Sequence, residues 1–337
     1  MSTLFRNLII PLCVTLLSGI VSSCSEDNIE ADSKVYKQEL KVLCIGNSFT
    51  EGAFSHVPEL FALTAPDVRL TMGIAYIPAS PLVQHHANLI DDSETLQGKR
   101  YYTTGYSYHK SSSDDLRWRD QWNVSITRLL HDEQWDIITF QQGGAVVMKD
   151  YDKVYTPFIR EILKTAEEKC KYKPQFGWVM IHGCYASDAE GLRRSWIKIA
   201  DDSKRVMDEE NFTILFPYGT AIQNLRENPA IRDASDSVGW TTDSGHLQEG
   251  LGVLTATYAN TFVLMKIVGK DIPDDMYRIL PTFDLDNPLN IPNPQYGLSG
   301  IVGINDFNCR QAVEAAVAAV ESPYQTIQYD LGKIEIR

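Results

Sequence analysis

Val42-Leu43-Cys44-Ile45-Gly46-Asn47-Ser48-Phe49-Thr50 runs from an apolar stretch into a polar turn without a charge. Four consecutive apolar residues read as a short strand buried on both faces. Gly46 and Asn47 are turn formers, and an apolar pattern at helical spacing follows over residues 54–65 until Pro66 stops it. A strand that ends in Gly-Asn-Ser presents one hydroxyl at the edge of a sheet. Ser48 is therefore the candidate nucleophile, and the rest of the chain is read by asking what serves it.

Outward from this stretch, apolar runs at 40–45, 68–76, 135–140, 176–181 and 212–216 predict five strands. Helical spacing predicts helices over 124–131, 154–170, 190–210, 221–227, 247–268 and 306–321. Strands alternating with helices imply a mainly parallel sheet covered on both faces. In such sheets sites form outside the carboxyl ends of the strands. That rule places Ser48, Ala79, Gln142 and His182 on one rim. Residues 81–119 interrupt the alternation and read as an insertion lying over one face. The insertion and the residues just after it are dense in aromatics, Tyr101, Tyr102, Tyr106, Tyr108, Trp118 and Trp122. Such rings either stack against sugars or fill a small core.

The chain has 337 residues, enough for one large domain, and a net charge of −13 with no basic cluster, which argues against a nucleic-acid partner. Residues 1–23 read as a leader: Arg6, an apolar run too short to span a membrane, then small residues before Cys24. The arrangement resembles the lipobox of bacterial lipoproteins, with Cys24 as the lipidated residue; a plain secretory signal is the alternative. Residues 24–38 are polar, as a tether is, and 39–337 read as a single domain. The expected location is the cell envelope, lipid-anchored, periplasmic or at the cell surface. Cys44, Cys170, Cys184 and Cys309 lack a framework spacing and are expected as buried free thiols, with a Cys170–Cys184 bridge as the alternative. No Cys-x-x-Cys or His-x-x-x-His occurs, so a structural zinc site is not indicated, and the serine chemistry set out below requires no metal or cofactor.

A serine hydroxyl needs a base, and the base needs an orienting group. Asp243-Ser244-Gly245-His246 supplies both from one Gly-containing turn. Its spacing lets the carboxylate reach the ring nitrogen turned away from the serine. The plainer roles are helix capping by Ser48 and by Asp243. His182 is an alternative base, and His85 and His86 are candidates for the pocket mouth.

Gly46-Asn47-Ser48 near the start and Asp243 to His246 near the end resemble the outer motifs of the SGNH (GDSL-like) hydrolases, in a subgroup of exported lipoproteins. The resemblance spans residues 41–270. It implies a flavodoxin-like three-layer α/β/α sandwich with a five-stranded parallel sheet, and a Ser48, His246, Asp243 triad. It also implies an oxyanion hole from the amides of Ser48 and Ala79 and the side chain of Gln142. Three positions depart from the family pattern. Ala79 stands where a Gly is usual, and Gln142 where an Asn is usual. Asn47 replaces the family Asp.

The expected function is that of a serine esterase cleaving acyl esters, with short acyl (acetyl) groups on carbohydrate as the substrate class. The altered oxyanion positions motivate an alternative, a non-catalytic glycan-binding lipoprotein on the same fold. An O-acyltransferase is a third reading, since it shares the triad.

Overall fold

The structure is a computed structural model and describes residues 36–90, 105–231, 238–243, 245–281 and 304–329. The leader, Cys24 and most of the tether lie outside the described residues, as do Tyr101 and Tyr102.

β1 (Gln38–Gly46) is buried continuously from Val42 onward. Its side chains alternate between two cores, as strand geometry demands. Val42 and Cys44 enter one, Leu43 and Ile45 the other. That two-sided burial explains the unbroken apolar run. The chain continues through α1 (Ser48–Phe54), α2 (Val57–Thr64), β2 (Val68–Tyr76), α3 (Leu82–Ile90), β3 (Tyr106–Ser112), β4 (Asp115–Val124) and α4 (Ile126–Asp132). Then come β5 (Ile137–Phe140), α5 (Tyr151–Val154), α6 (Thr156–Cys170), β6 (Gln175–Val179), α7 (Ala189–Glu209), β7 (Ile214–Phe216) and α8 (Tyr218–Glu227). α9 (Leu251–Ile267) and α10 (Asp306–Glu321) close the series.

The sheet has seven strands in the order β4-β3-β2-β1-β5-β6-β7. β2, β1, β5, β6 and β7 run parallel. Renumbered among themselves they follow the flavodoxin-like order 2-1-3-4-5. β3 and β4 are antiparallel. The sheet is thus mixed, and the expectation of five parallel strands alone is corrected. The reason is covalent: β3 and β4 are joined by a turn too short for a crossover, so they can pair only antiparallel. The described residues of the insertion divide between a face and an edge, with α3 packing against Leu43 and Ile45. The hairpin lengthens the sheet at the β2 edge, and the first part of the insertion forms the nine-residue helix α3.

Helices cover both faces. α1, α2, α8, α9 and α10 pack into the core that receives Val42 and Cys44, while α3, α4 and α6 pack into the other. α9 is buried on every side from Leu251 to Met265, which matches its lack of an amphipathic pattern. No helix among the described residues is long and apolar enough to cross a membrane. The single helix expected over 54–65 is two, broken at Ser55 and His56, with Pro58 in the first turn of the second.

Candidate active site

β1 delivers Gly46 to the carboxyl edge of the sheet, and α1 starts at once. Asn47, not Ser48, caps that helix: its Oδ1 accepts from the Phe49 amide at 3.0 Å. The same oxygen accepts from Gln141 Nε2 at 2.5 Å, and Asn47 Nδ2 donates to the Ser80 carbonyl at 3.1 Å. Thr50 Oγ1 donates to Gln141 Oε1 at 2.6 Å. Asn47, Thr50 and Gln141 are buried, so this closed network holds the turn rigidly. Gly46 admits no side chain, because a Cβ there would stand 2.2 Å from Thr50 Oγ1. The Ser48 hydroxyl is left out of the network.

That hydroxyl meets His246 Nε2 at 2.8 Å. His246 Nδ1 donates to Asp243 Oδ2 at 2.6 Å. Asp243 Oδ1 accepts from the amides of Gly245 at 3.0 Å and His246 at 2.6 Å. Burial pushes the Asp243 carboxyl up, but the amide and ring of His246 and the Gly245 amide outweigh it and hold it below the usual carboxylate range. Asp243 does not cap the following helix, whose cap is Gly250. With the proton on Nδ1 facing a carboxylate, Nε2 is the nitrogen free to take the serine proton.

The loop carrying this pair is closed on itself. Thr242 N donates to His246 O at 3.0 Å, and Gln248 N to Trp240 O at 2.7 Å. From behind, His182 Nε2 donates to Gly245 O at 2.6 Å. Burial first, then the nearby Arg226, pushes the His182 imidazole down to about 3, so it stays neutral. It supports the loop and does not touch Ser48. Arg226, half-buried, donates to Gly239 O at 2.7 Å and Gly183 O at 3.0 Å, tying the loop to the segment after β6. Phe49 separates the two histidines, with its ring 5.2 Å from His182 and 5.6 Å from His246.

A cavity of about 330 Å³ opens at Ser48 and His246, lined further by Glu51, Tyr76, Ala79, Gly144, Ala145 and Tyr185. Ala79 has φ 56°, the left-handed region that favours glycine. The backbone shape of the expected Gly position is therefore kept by an alanine. Among the described residues the N–H groups of Ser48 and Ala79 have no backbone acceptor.

Gln142 does not join them, which corrects the expectation for it. Its Oε1 accepts from Leu82 N at 3.0 Å and Gly143 N at 2.9 Å, and its Nε2 donates to Val154 O at 2.8 Å. Both ends of the amide are engaged in fastening α3 and α5 to the end of β5. Where a donor was sought, the cavity instead meets Gly144 and Ala145. A Cβ at Gly144 would lie 2.3 Å from the Phe49 ring.

His85 and His86 are not at the cavity mouth. His85 is buried between Ser80 Oγ at 3.1 Å and Tyr106 OH at 2.9 Å, and burial pushes it down to about 3. His86 meets Glu161 at 2.7 Å. Tyr106, Tyr108 and Trp118 are core residues, whereas Trp122 is exposed. Cys44, Cys170, Cys184 and Cys309 are buried free thiols. Among the described residues no cluster of His, Cys, Asp and Glu is arranged to hold a metal ion.

Glu51, Tyr76, Tyr185 and Arg226 were not singled out from the sequence. Glu51 has a readable signal: three residues after Ser48 on a helix, it shares that residue's face.

No curated protein matches the chain in sequence. Among solved structures, a protein from Bacteroides uniformis is similar over 88% of this chain and 100% of its own, with TM-score 0.66 and 22% identity. The acetyl xylan esterase AlAXEase covers 68% of this chain and 98% of its own at TM-score 0.40 and 14% identity. A catalytic mutant of an acetylxylan esterase from Geobacillus stearothermophilus covers 69% and 95% at TM-score 0.39 and 11% identity. The first of these likenesses shows the fold. The Bacteroides uniformis protein is described as a DUF4886 family protein. The profile of that family, a domain of unknown function, matches residues 41–281, and the chain belongs to it.

Proposed function

We propose that the chain is a serine esterase of the SGNH type. The observation that carries this reading is the continuous relay from Ser48 Oγ through His246 to Asp243, at 2.8 and 2.6 Å. In the reaction Ser48 Oγ attacks an ester carbonyl carbon while Nε2 of His246 takes its proton. Asp243 stabilises the imidazolium. The developing oxyanion is held by the N–H groups of Ser48 and Ala79. The intermediate collapses, the alkoxide leaves with the proton from His246, and water releases the acyl group by the reverse course. A cavity of about 330 Å³ is at the small end for ligand sites, which favours short acyl groups such as acetyl. Carbohydrate as the alcohol half and a lipid anchor at Cys24 belong to the same proposal. Recovery of Cys24 as the diacylated N-terminal residue by mass spectrometry tests the anchor.

One observation favours the non-catalytic reading: the Gln142 amide is committed elsewhere, and losing an oxyanion donor typically costs a factor of ~10²–10³. Fluorophosphonate labelling separates the two. Labelling at Ser48 that disappears in Ser48→Ala and His246→Ala is expected, with ester turnover in Ser48→Ala down by roughly 10⁴-fold or more. No labelling of the folded protein would leave a binding protein. Product analysis with a sugar acceptor distinguishes hydrolysis from acyl transfer.

A further inference from the structure

The cavity beside Ser48 holds a carboxyl that the triad does not use. Glu51 is one helical turn beyond Ser48 on α1, lines the same cavity, and is only 9% exposed. Among the described residues no lysine or arginine pairs with it. The groups that act on its charge are Tyr76 at the end of β2, which lines the same cavity, His246 from the loop that carries Asp243, and Asp120 from β4. Burial pushes this carboxyl up to about 7; Tyr76 and His246 draw it down, and Asp120 adds to the rise. A buried carboxyl without a cation destabilises the fold rather than supporting it. Glu51 and Tyr76 both line the cavity, where a hydroxyl-bearing ligand would supply the carboxyl with a further donor.

The same side of the cavity continues as a row of rings. Tyr76 stacks on His109 with centroids 5.6 Å apart and planes at 19°. His109 meets Trp122 edge-on at 5.8 Å and 88°. Asp120 Oδ1 accepts from His109 Nδ1 at 2.5 Å and holds that ring in place. Trp122 is 66% exposed, although its neighbours in the insertion, Tyr106, Tyr108 and Trp118, are buried. A carboxyl beside a phenol, followed by an open indole face, is chemistry suited to hydroxyls and then to the apolar face of a sugar ring.

We infer that Glu51 and Tyr76 form a subsite that binds a free hydroxyl on the alcohol half of the ester, with Trp122 as the stacking surface for the adjoining ring. The ligand class is an O-acylated oligosaccharide that retains free hydroxyls. This deepens the esterase reading and rests on it.

The experiment compares kcat/KM for a mono-O-acetylated cellobiose with that for 4-nitrophenyl acetate, which carries no free hydroxyl. Rates are normalised to sites titrated by a fluorophosphonate, so that misfolded molecules do not count. In Glu51→Gln the ratio of sugar ester to nitrophenyl ester is expected to fall at least tenfold, and in Tyr76→Phe about threefold. In Trp122→Ala, KM for the sugar ester is expected to rise with little change in kcat. Equal losses on both substrates in Glu51→Gln and Tyr76→Phe, or an unchanged ratio, would overturn the subsite while leaving the esterase standing. A wild type that cleaves only the nitrophenyl ester would overturn the ligand class. A wild type with neither turnover nor label would remove the esterase and the subsite together.

Discussion

The turn that carries Ser48 and the loop that carries Asp243 and His246 differ in what holds them. The turn is locked by buried side chains: Asn47, Gln141, Thr50 and Ser80 exchange hydrogen bonds out of reach of water. The loop is half-exposed at Asp243 and His246 and is held by its own backbone and by two donors behind it, the buried His182 and the half-buried Arg226. Ser48 thus sits on part of the folding core, while His246 sits on a surface loop pinned at its back. Damage to the turn should register as lost stability, and damage to the loop as lost rate with the fold intact.

The comparison is tested most severely at Asp243. Asp243→Asn leaves an acceptor for the amides but presents an N–H to His246 Nδ1, which selects the wrong tautomer. Ester turnover should fall roughly 10³–10⁴-fold, with thermal unfolding hardly moved. Next is Asn47→Asp, the residue usual in the resembled family. Here it would remove the donor to Ser80 O and set a carboxylate against that carbonyl, so calorimetry should show about 1–3 kcal/mol of lost stability. Equal stability would mean that the turn is not governed by its buried network.

A smaller effect is expected for His182→Phe, which keeps a ring against Phe49 but drops the bond to Gly245 O. We expect about a tenfold loss in kcat, KM nearly constant, and partial recovery in His182→Gln, which can still donate. An unchanged kcat would assign the loop's order to its backbone alone.

The smallest effect concerns pH. An unfolded Glu51 titrates near 4.5 and the folded one near 7, so the native state binds the extra proton between those values. Stability therefore falls as pH rises from about 4.5 to about 7 and is level beyond. Glu51→Gln removes that slope, gaining about 1 kcal/mol over wild type at pH 8 and nothing at pH 4. The full shift corresponds to about 3 kcal/mol, reduced because the cavity is open to solvent. Paired thermal melts at the two pH values measure it.

The strands and the ends of the site were readable because their signals are local. Val68 to Tyr76 and Asp306 to Glu321 have the bounds that their patterns predict. Ser48, Asp243 and His246 sit in short motifs whose residue types suit one chemistry. What could not be read depends on partners distant in sequence. Gln142 has the right chemistry for an oxyanion donor, but Leu82 and Val154, from two other elements, decide where its amide points. The Tyr- and Thr-rich run over 99–109 suggests a hairpin, but its true second strand is not legible, because β4, exposed on most of its length, has almost no apolar alternation to announce it.

That exposed strand has a consequence for how the molecule behaves in a crowd of its own copies. β4 forms one rim of the sheet, and a rim of unpaired backbone invites a strand from another chain. Asp115, Arg117, Arg119 and Asp120 place charges of both signs along it, the pairing with β3 is irregular in two places, and Asn123 turns left-handed near its end. At the opposite rim β7 has only three residues. Neither border offers the long, flat, apolar ribbon that cross-chain association requires, so a protein with a seven-stranded sheet is guarded at both borders against fibre-like growth.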